Sequence, residues 1–234
     1  RVRLLDAGGV AVPCQTRALS RHVLDGSIQT LLVDLLAPKR DPTFTLGFGP
    51  GIEASHADTP LRVEETEAAM TVVTGPMKFV VRRARFNLID ALWFDADGDG
   101  RFAADEQAIA PGDEQGPWTH DPCGRTYWGS RGPLDFVRVE ERGPVRACIA
   151  ASGLHRSEDG QDLFRYVVRI HAFAGKPWLR IEHVFSNEQH PYATLLAGAG
   201  VRLGLRSEAF DRFRFDDDIE RRVGPKETVS VVQG

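Results

Sequence analysis

Lysine is nearly missing from this chain. It occurs only at Lys39, Lys78, Lys176 and Lys226, so almost all of the 29 basic residues are arginines. Arginine presents a planar fork of donors that suits carboxylates, uronic acids among them, better than a compact ammonium does. The same bias also follows from genome composition alone. An excess of either charge is missing too: 33 acidic residues against the 29 basic ones leave a net charge of −4. Such a balance gives no long-range attraction to nucleic acid or to an anionic membrane, and neither is expected as a partner. No apolar run reaches the roughly 18 residues of a membrane-crossing helix. Cysteine is scarce, at Cys14, Cys123 and Cys148, with no CxxC pair. A zinc knuckle or redox motif is thereby excluded; the three read first as buried thiols, with the pairing of any two left open. The glycine-rich stretch from Gly47 to Gly51 lacks the Lys-Ser/Thr of a phosphate loop, which removes nucleotide binding there. No signal peptide is visible, and the chain starts Arg1-Val2-Arg3-Leu4-Leu5, without Met and already in a strand pattern. It reads as a processed or excised piece.

Helical periodicity is almost absent as well, and period-2 alternation takes its place. Along Phe164 to Ile170 the even positions carry Phe164, Tyr166, Val168 and Ile170, while Arg165 and Arg169 flank Val167 on the other face. Side chains alternate faces in a strand, so this is a half-buried sheet element. Leu179, Ile181, His183 and Phe185 repeat the pattern after a turn at Gly175-Lys176-Pro177, and the two runs read as a hairpin. Further strands are expected at residues 1–5, 27–36, 69–73, 78–82, 88–94, 136–140, 145–151, 200–205 and 228–232, separated by Asp-Gly and Gly-Pro breakers. Only 103–110 invites a helix, which Pro111 would stop within about two turns. The expectation is one all-β domain over residues 1–234, mainly antiparallel, as a barrel or barrel-like sandwich. Residues 111–133, rich in Gly, Pro and Asp, read as a long surface loop inserted into it.

One motif is sharp. Residues 95–106 read DADGDGRFAADE, the full D-x-D-x-D-G-x5-E pattern of a calcium loop. Asp95, Asp97, Asp99 and Glu106 would offer hard carboxylate oxygens and Arg101 its backbone carbonyl, while Gly100 permits the sharp turn. Phe102 would anchor the loop to the core, and Asp105 is a bystander. The competing reading is an acidic turn, which needs the Asp-Gly pairs but not Glu106 in register. The flanks are too densely apolar for paired helices and there is no second loop, so the expected ion is structural Ca2+ rather than a regulatory signal.

Weaker signals need partners. The long loop spends Trp118, Tyr127 and Trp128 beside Arg125, and these four are candidate carbohydrate contacts; the alternative is that the rings pack back onto the sheet. His120 and Asp121 lie in the same cluster, yet no poised acid–base pair emerges and no residue is assigned a catalytic role. Arg82, Arg83 and Arg85 form a small basic patch, readable as a uronate-binding face or as ordinary surface. His183 shares the face of Ile181 and reads as a core histidine, and neither it nor His171 has metal-ligand spacing. Glu140-Glu141 and Asp216 to Asp218 are charge runs whose default is solvated surface.

Three stretches carry a family resemblance: Val12 to Gln15 with Asp25 to Asp34; Thr74-Gly75-Pro76 with the strand after it; and Arg142 to Ala147 running on through Arg169 to Gly175 and Arg180 to Phe185. Together they resemble the N-terminal RIFT-barrel domain of the exo-acting rhamnogalacturonan lyase-like family. The expected aromatic before the Asp-Gly turn is replaced by Val23-Leu24. The resemblance implies a β module followed by a larger helical-toroid domain with the catalytic machinery, in a secreted or periplasmic protein. The parent reaction it implies is β-elimination next to a uronic acid. None of that family's catalytic residues maps onto this chain. The leading expectation is an accessory, non-catalytic β domain with a structural calcium site, its partners an acidic glycan and further domains of the same parent chain. The alternatives are a purely structural or protein-interaction domain, and a self-contained glycan lyase with its site near 118–128.

Overall fold

The computed structural model describes residues 1–37, 43–53, 58–110, 112, 115–188 and 195–206, together with the backbone of 212–215 and 219–222. The expected strand at 228–232 and the Asp216 to Asp218 run lie outside the described residues. Among the described residues there is no helix, and every strand pair is antiparallel. The N-terminal strands are β1 (Val2–Leu5), β2 (Cys14–Arg21), β3 (Ile28–Leu35) and β4 (Thr45–Phe48). A first large sheet holds β5 (Arg62–Glu65), β6 (Ala69–Val73), β7 (Met77–Arg82), β8 (Ala91–Phe94) and β9 (Gln107–Ile109). A second holds β10 (Gly116–His120), β11 (Thr126–Trp128), β12 (Leu134–Arg142), β13 (Arg146–Arg156), β14 (Asp162–Phe173), β15 (Leu179–Ser186) and β16 (Gly198–Arg202). A short hairpin of β17 (Arg212–Phe215) and β18 (Ile219–Arg222) follows.

The two large sheets face each other across one core. From the first come Met70, Val72, Phe79 and Val81; from the second come Ile149, Tyr166, Val168 and Ile170, all essentially without solvent contact. Strict alternation explains this, because a strand buries every second side chain and a one-residue slip would expose the whole set. Along β14 the even positions from Tyr166 to Ile170 point inward, and Arg165 and Arg169 point outward, as the alternation requires. Its hairpin with β15 pairs Ala172 with Leu179 across a tight turn where Gly175 takes a left-handed φ of 68°. An isolated bridge between Ile109 and Leu205 joins the sheets at one corner. Gly132 brings β12 into register: a Cβ there would lie 1.7 Å from the Leu154 carbonyl oxygen, so no other residue fits.

Several local expectations change. Residues 103–110 form no helix: 103–106 turn, and Gln107–Ile109 pair with β8 as β9. Edge pairing outweighs the weak helical preference of an alanine-rich octet. The strand expected from Leu88 starts only at Ala91, because Leu88 sits at φ 69° in a turn pinned by buried Asp90, which accepts from the Arg82 amide and the Asn87 side chain. Of the expected surface loop 111–133, residues 115–133 are mostly a β-hairpin, with β10 paired to β11 and to β16, and 111, 113 and 114 lie outside the described residues. β2 and β3 form a separate hairpin that docks on the outer face of the second sheet, where Gln15 accepts from the Arg146 amide and donates to Glu141. All three cysteines are free thiols, Cys14 and Cys148 buried and Cys123 exposed.

Candidate functional site

The DADGDGRFAADE segment connects β8 to β9, so strands rather than helices deliver it. Its base is closed by backbone bonds from Phe94 to the Glu106 carbonyl and from Asp95 to that of Pro76. Asp95, Asp97 and Asp99 converge, each offering a carboxylate oxygen within 4.8 Å of the others. The backbone supplies the turn: Gly98 and Gly100 take φ of 76° and 78°, and amides of Gly100, Asp99 and Arg101 donate to Asp95, Asp97 and Asp99 respectively. That leaves the second Asp95 oxygen, Oδ1, shielded from solvent with no hydrogen-bond partner among the described residues. An enclosed carboxylate oxygen without a donor is costly unless a cation meets it, so the residues present fit a hard divalent ion. Glu106 stands outside the three-aspartate cluster. Its two oxygens accept from the amides of Ala96 and Ala103 across the neck of the loop. Each carboxylate oxygen keeps a second lone pair, so this clasp is compatible with ligation. Phe102 is half-buried and not part of the core cluster; Lys78 Nζ lies over its ring at 4.8 Å and over that of Trp93 at 4.2 Å.

In the aromatic hairpin two of the three rings follow the packing alternative. Tyr127 and Trp128 are buried at 5% and 7% exposure, Tyr127 packing with Leu163 and Phe164. As consecutive residues of β11 the two side chains point to opposite faces, and both faces of this short strand are covered. Trp118, directly opposite Trp128 in register, is half-buried and tilts against His120 at 4.6 Å. Arg125 is exposed; it pairs with Asp159 at 3.4 Å and bonds Gln161. Asp121 ties the turn together, accepting from the Arg125 and Cys123 amides and the Tyr127 hydroxyl. Those donors, the Arg125 amide foremost, hold its carboxyl below the usual range, while burial pushes the Tyr127 phenol up. Of the four candidate sugar contacts, only Trp118 and Arg125 offer surface. The Arg82-Arg83-Arg85 patch is not a free face either, because Arg83 clasps the sheets by donating to the carbonyls of Thr66 and Val137 and to Glu65.

A third constellation carried no local sequence signal. Between the β2–β3 hairpin and the outer face of β13–β15 lies a cleft of about 450 Å³. Its centre is Arg146, nearly enclosed, which donates to Asp34 from two nitrogens and to Nδ1 of His171 at 2.8 Å, and pairs with Glu141 at 2.6 Å. These residues come from strands more than a hundred positions apart. Glu140-Glu141, expected as solvated surface, is drawn into this network: Glu140 binds Arg169 through both oxygens.

His183, expected as a core histidine, is only half-buried, and its Nε2 has no hydrogen-bond partner among the described residues. Its ring lies 5.6 Å from that of the fully buried His155, and burial pushes both down to about 4.

Two facing antiparallel sheets, one metal-compatible hairpin loop and a polar outer cleft define a β-sandwich module. The particular family is rhamnogalacturonan lyase-like, as the sequence motifs suggest. The chain belongs to it through the family model described as PcRGLX-like protein central beta sandwich domain, which matches residues 61–218. The Gly75-Pro76 and Arg142 to Phe185 stretches fall inside that match. The Val12 to Asp34 stretch lies before it, and the matched unit is described as central where the motifs point to the N-terminal barrel. No curated protein matches the chain.

Proposed function

We propose that this chain is an accessory, non-catalytic β domain of a polysaccharide lyase-like protein that acts on uronic-acid-containing glycans, with one structural calcium ion held by the loop 95–106. The observation that carries the first part is the family match over 61–218. The sandwich presents polar, arginine-rich surface, and arginine recognises sugar carboxylates bidentately. The calcium part rests on Asp95, Asp97 and Asp99 converging around an unpartnered Asp95 Oδ1. Asp95, Asp97, Asp99 and Glu106 supply side-chain oxygens, and Arg101 its backbone carbonyl, at about 2.3–2.6 Å from the ion. The ion fixes the β8–β9 hairpin at the edge of the first sheet.

Of the residues first considered for glycan contact, Trp118 and Arg125 keep that role in this proposal, while Tyr127 and Trp128 support the hairpin from inside. The test of the glycan role is a glycan array with the purified chain. Retention on acidic, uronate-containing oligosaccharides supports it, and retention on none favours a structural domain.

A further inference from the structure

We infer that the cleft between the β2–β3 hairpin and the outer face of β13–β15 is a binding site for a sugar of mono- or disaccharide size. This rests on the glycan-associated reading above and gives it a location away from the aromatic hairpin. Four features carry the inference.

First, the cavity, about 450 Å³, lies within the range of small-ligand sites. Second, its floor holds an unused donor. Nδ1 of His171 accepts from Arg146, which places the proton on Nε2. The side chain is only 9% exposed, and Nε2 has no hydrogen-bond partner among the described residues; the nearest carboxylate oxygen, on Glu182, is 3.6 Å away. A buried N–H without a close acceptor costs free energy, which a ligand oxygen displacing the Glu182 carboxylate would recover.

Third, the polar groups at the mouth keep spare capacity. Among the described residues Arg17 meets one carboxylate, Glu141 at 2.8 Å, and Arg180 meets one, Glu182 at 2.9 Å. A guanidinium has five N–H donors, so each retains several for a ligand. Asp34 spends only Oδ2 on Arg146. Arg146 and Glu141 at the centre are more fully engaged. Fourth, the charges of the lining cancel, and Phe173 and Leu32 add apolar wall. Paired carboxylate acceptors and guanidinium donors beside an aromatic face match vicinal hydroxyls and the C–H face of a pyranose. A phosphate or a bare dianion would meet as many acids as arginines and gains nothing from the wall.

The experiment is a two-dimensional 1H–15N NMR titration of the labelled chain, observing the histidine rings and tryptophan indoles. The probes are D-galacturonate, D-galactose and L-rhamnose, with glycerol as the polyol control. The expected result is a saturable shift of the His171 ring with at least one sugar and none with glycerol. Arg180→Gln and Arg17→Gln, on opposite walls and both well exposed, each weaken that binding by at least about fivefold and leave the melting temperature unchanged. Two walls keep the test valid if one variant misfolds. Unchanged affinity in both variants overturns the assignment. A sugar that shifts the Trp118 indole but not His171 also overturns the cleft while leaving the glycan-associated role intact. If neither these sugars nor longer acidic glycans bind anywhere, both fall.

Discussion

At the scale of single residues, burial decides reactivity. Burial beside Glu140 and Glu141 pushes the Cys148 thiol up to about 12, and burial also raises Cys14, whereas Cys123 sits exposed in the β10–β11 turn. Thiolate is the reactive form, so native alkylation followed by mass spectrometry should label Cys123 rapidly and the other two only after unfolding. His155 and His183 give a second residue-level prediction. Both are pushed down to about 4 from an ordinary value near 6.5. Between those values the unfolded chain takes up protons that the folded chain refuses, so stability falls as pH drops through that window and levels off below it. The loss is on the order of 2 kcal/mol per histidine by pH 5. Carboxylates held low by arginines, such as Glu140 and Asp162, withdraw their stabilisation only at lower pH. Urea melts at pH 7 and pH 5 measure the slope, and His183→Gln should flatten it.

At the scale of elements, the β10–β11 hairpin and the β8–β9 loop separate packing from binding. Trp128 is buried, so Trp128→Ala should cost about 3–5 kcal/mol. Trp118→Ala, at a half-exposed position, should cost distinctly less, and thermal melts of the two variants check the order. Equal losses would mean that Trp118 is as deeply packed as its partner. The loop makes a different demand. Three carboxylates gathered within 4.8 Å repel one another without an ion, so calcium should stabilise the fold by linkage, about 2.7 kcal/mol at a hundredfold excess over Kd. Chelator should lower the melting temperature by several degrees, at about 2–4 °C per kcal/mol for a chain of this size. Calcium should restore it better than magnesium, whose small octahedral shell fits a flexible multidentate loop poorly. Asp95→Ala should abolish the response and Asp105→Ala should keep it. A melting curve indifferent to chelator would reduce the segment to an acidic turn.

At the scale of the whole molecule, what was legible in the sequence is what local periodicity encodes. β6, β7, β14 and β15 announce themselves by alternating apolar residues, because each has one face in the core. The acidic cluster was legible for a related reason: Asp95, Asp97 and Asp99 lie within one short stretch. β2 was missed since its run CQTRALSR lies on the exposed hairpin with a mostly polar pattern. β10 and β11 were missed because their Pro, Gly and Asp content masks strands held by neighbours distant in sequence. The charged cleft was illegible for the strongest reason: Asp34, Arg146 and His171 meet only after the hairpin docks, and no spacing encodes that.

The central claim is that this module engages glycan without cleaving it. Its most direct test is a calorimetric titration of the calcium-loaded chain with acidic rhamnogalacturonan oligosaccharides, with ultraviolet absorbance of the same mixture followed for unsaturated sugar product. The account predicts a saturable heat of binding and no growth in absorbance. Growing absorbance would make the chain a lyase in its own right, and no heat at millimolar oligosaccharide would leave it a purely structural domain; either result contradicts the account.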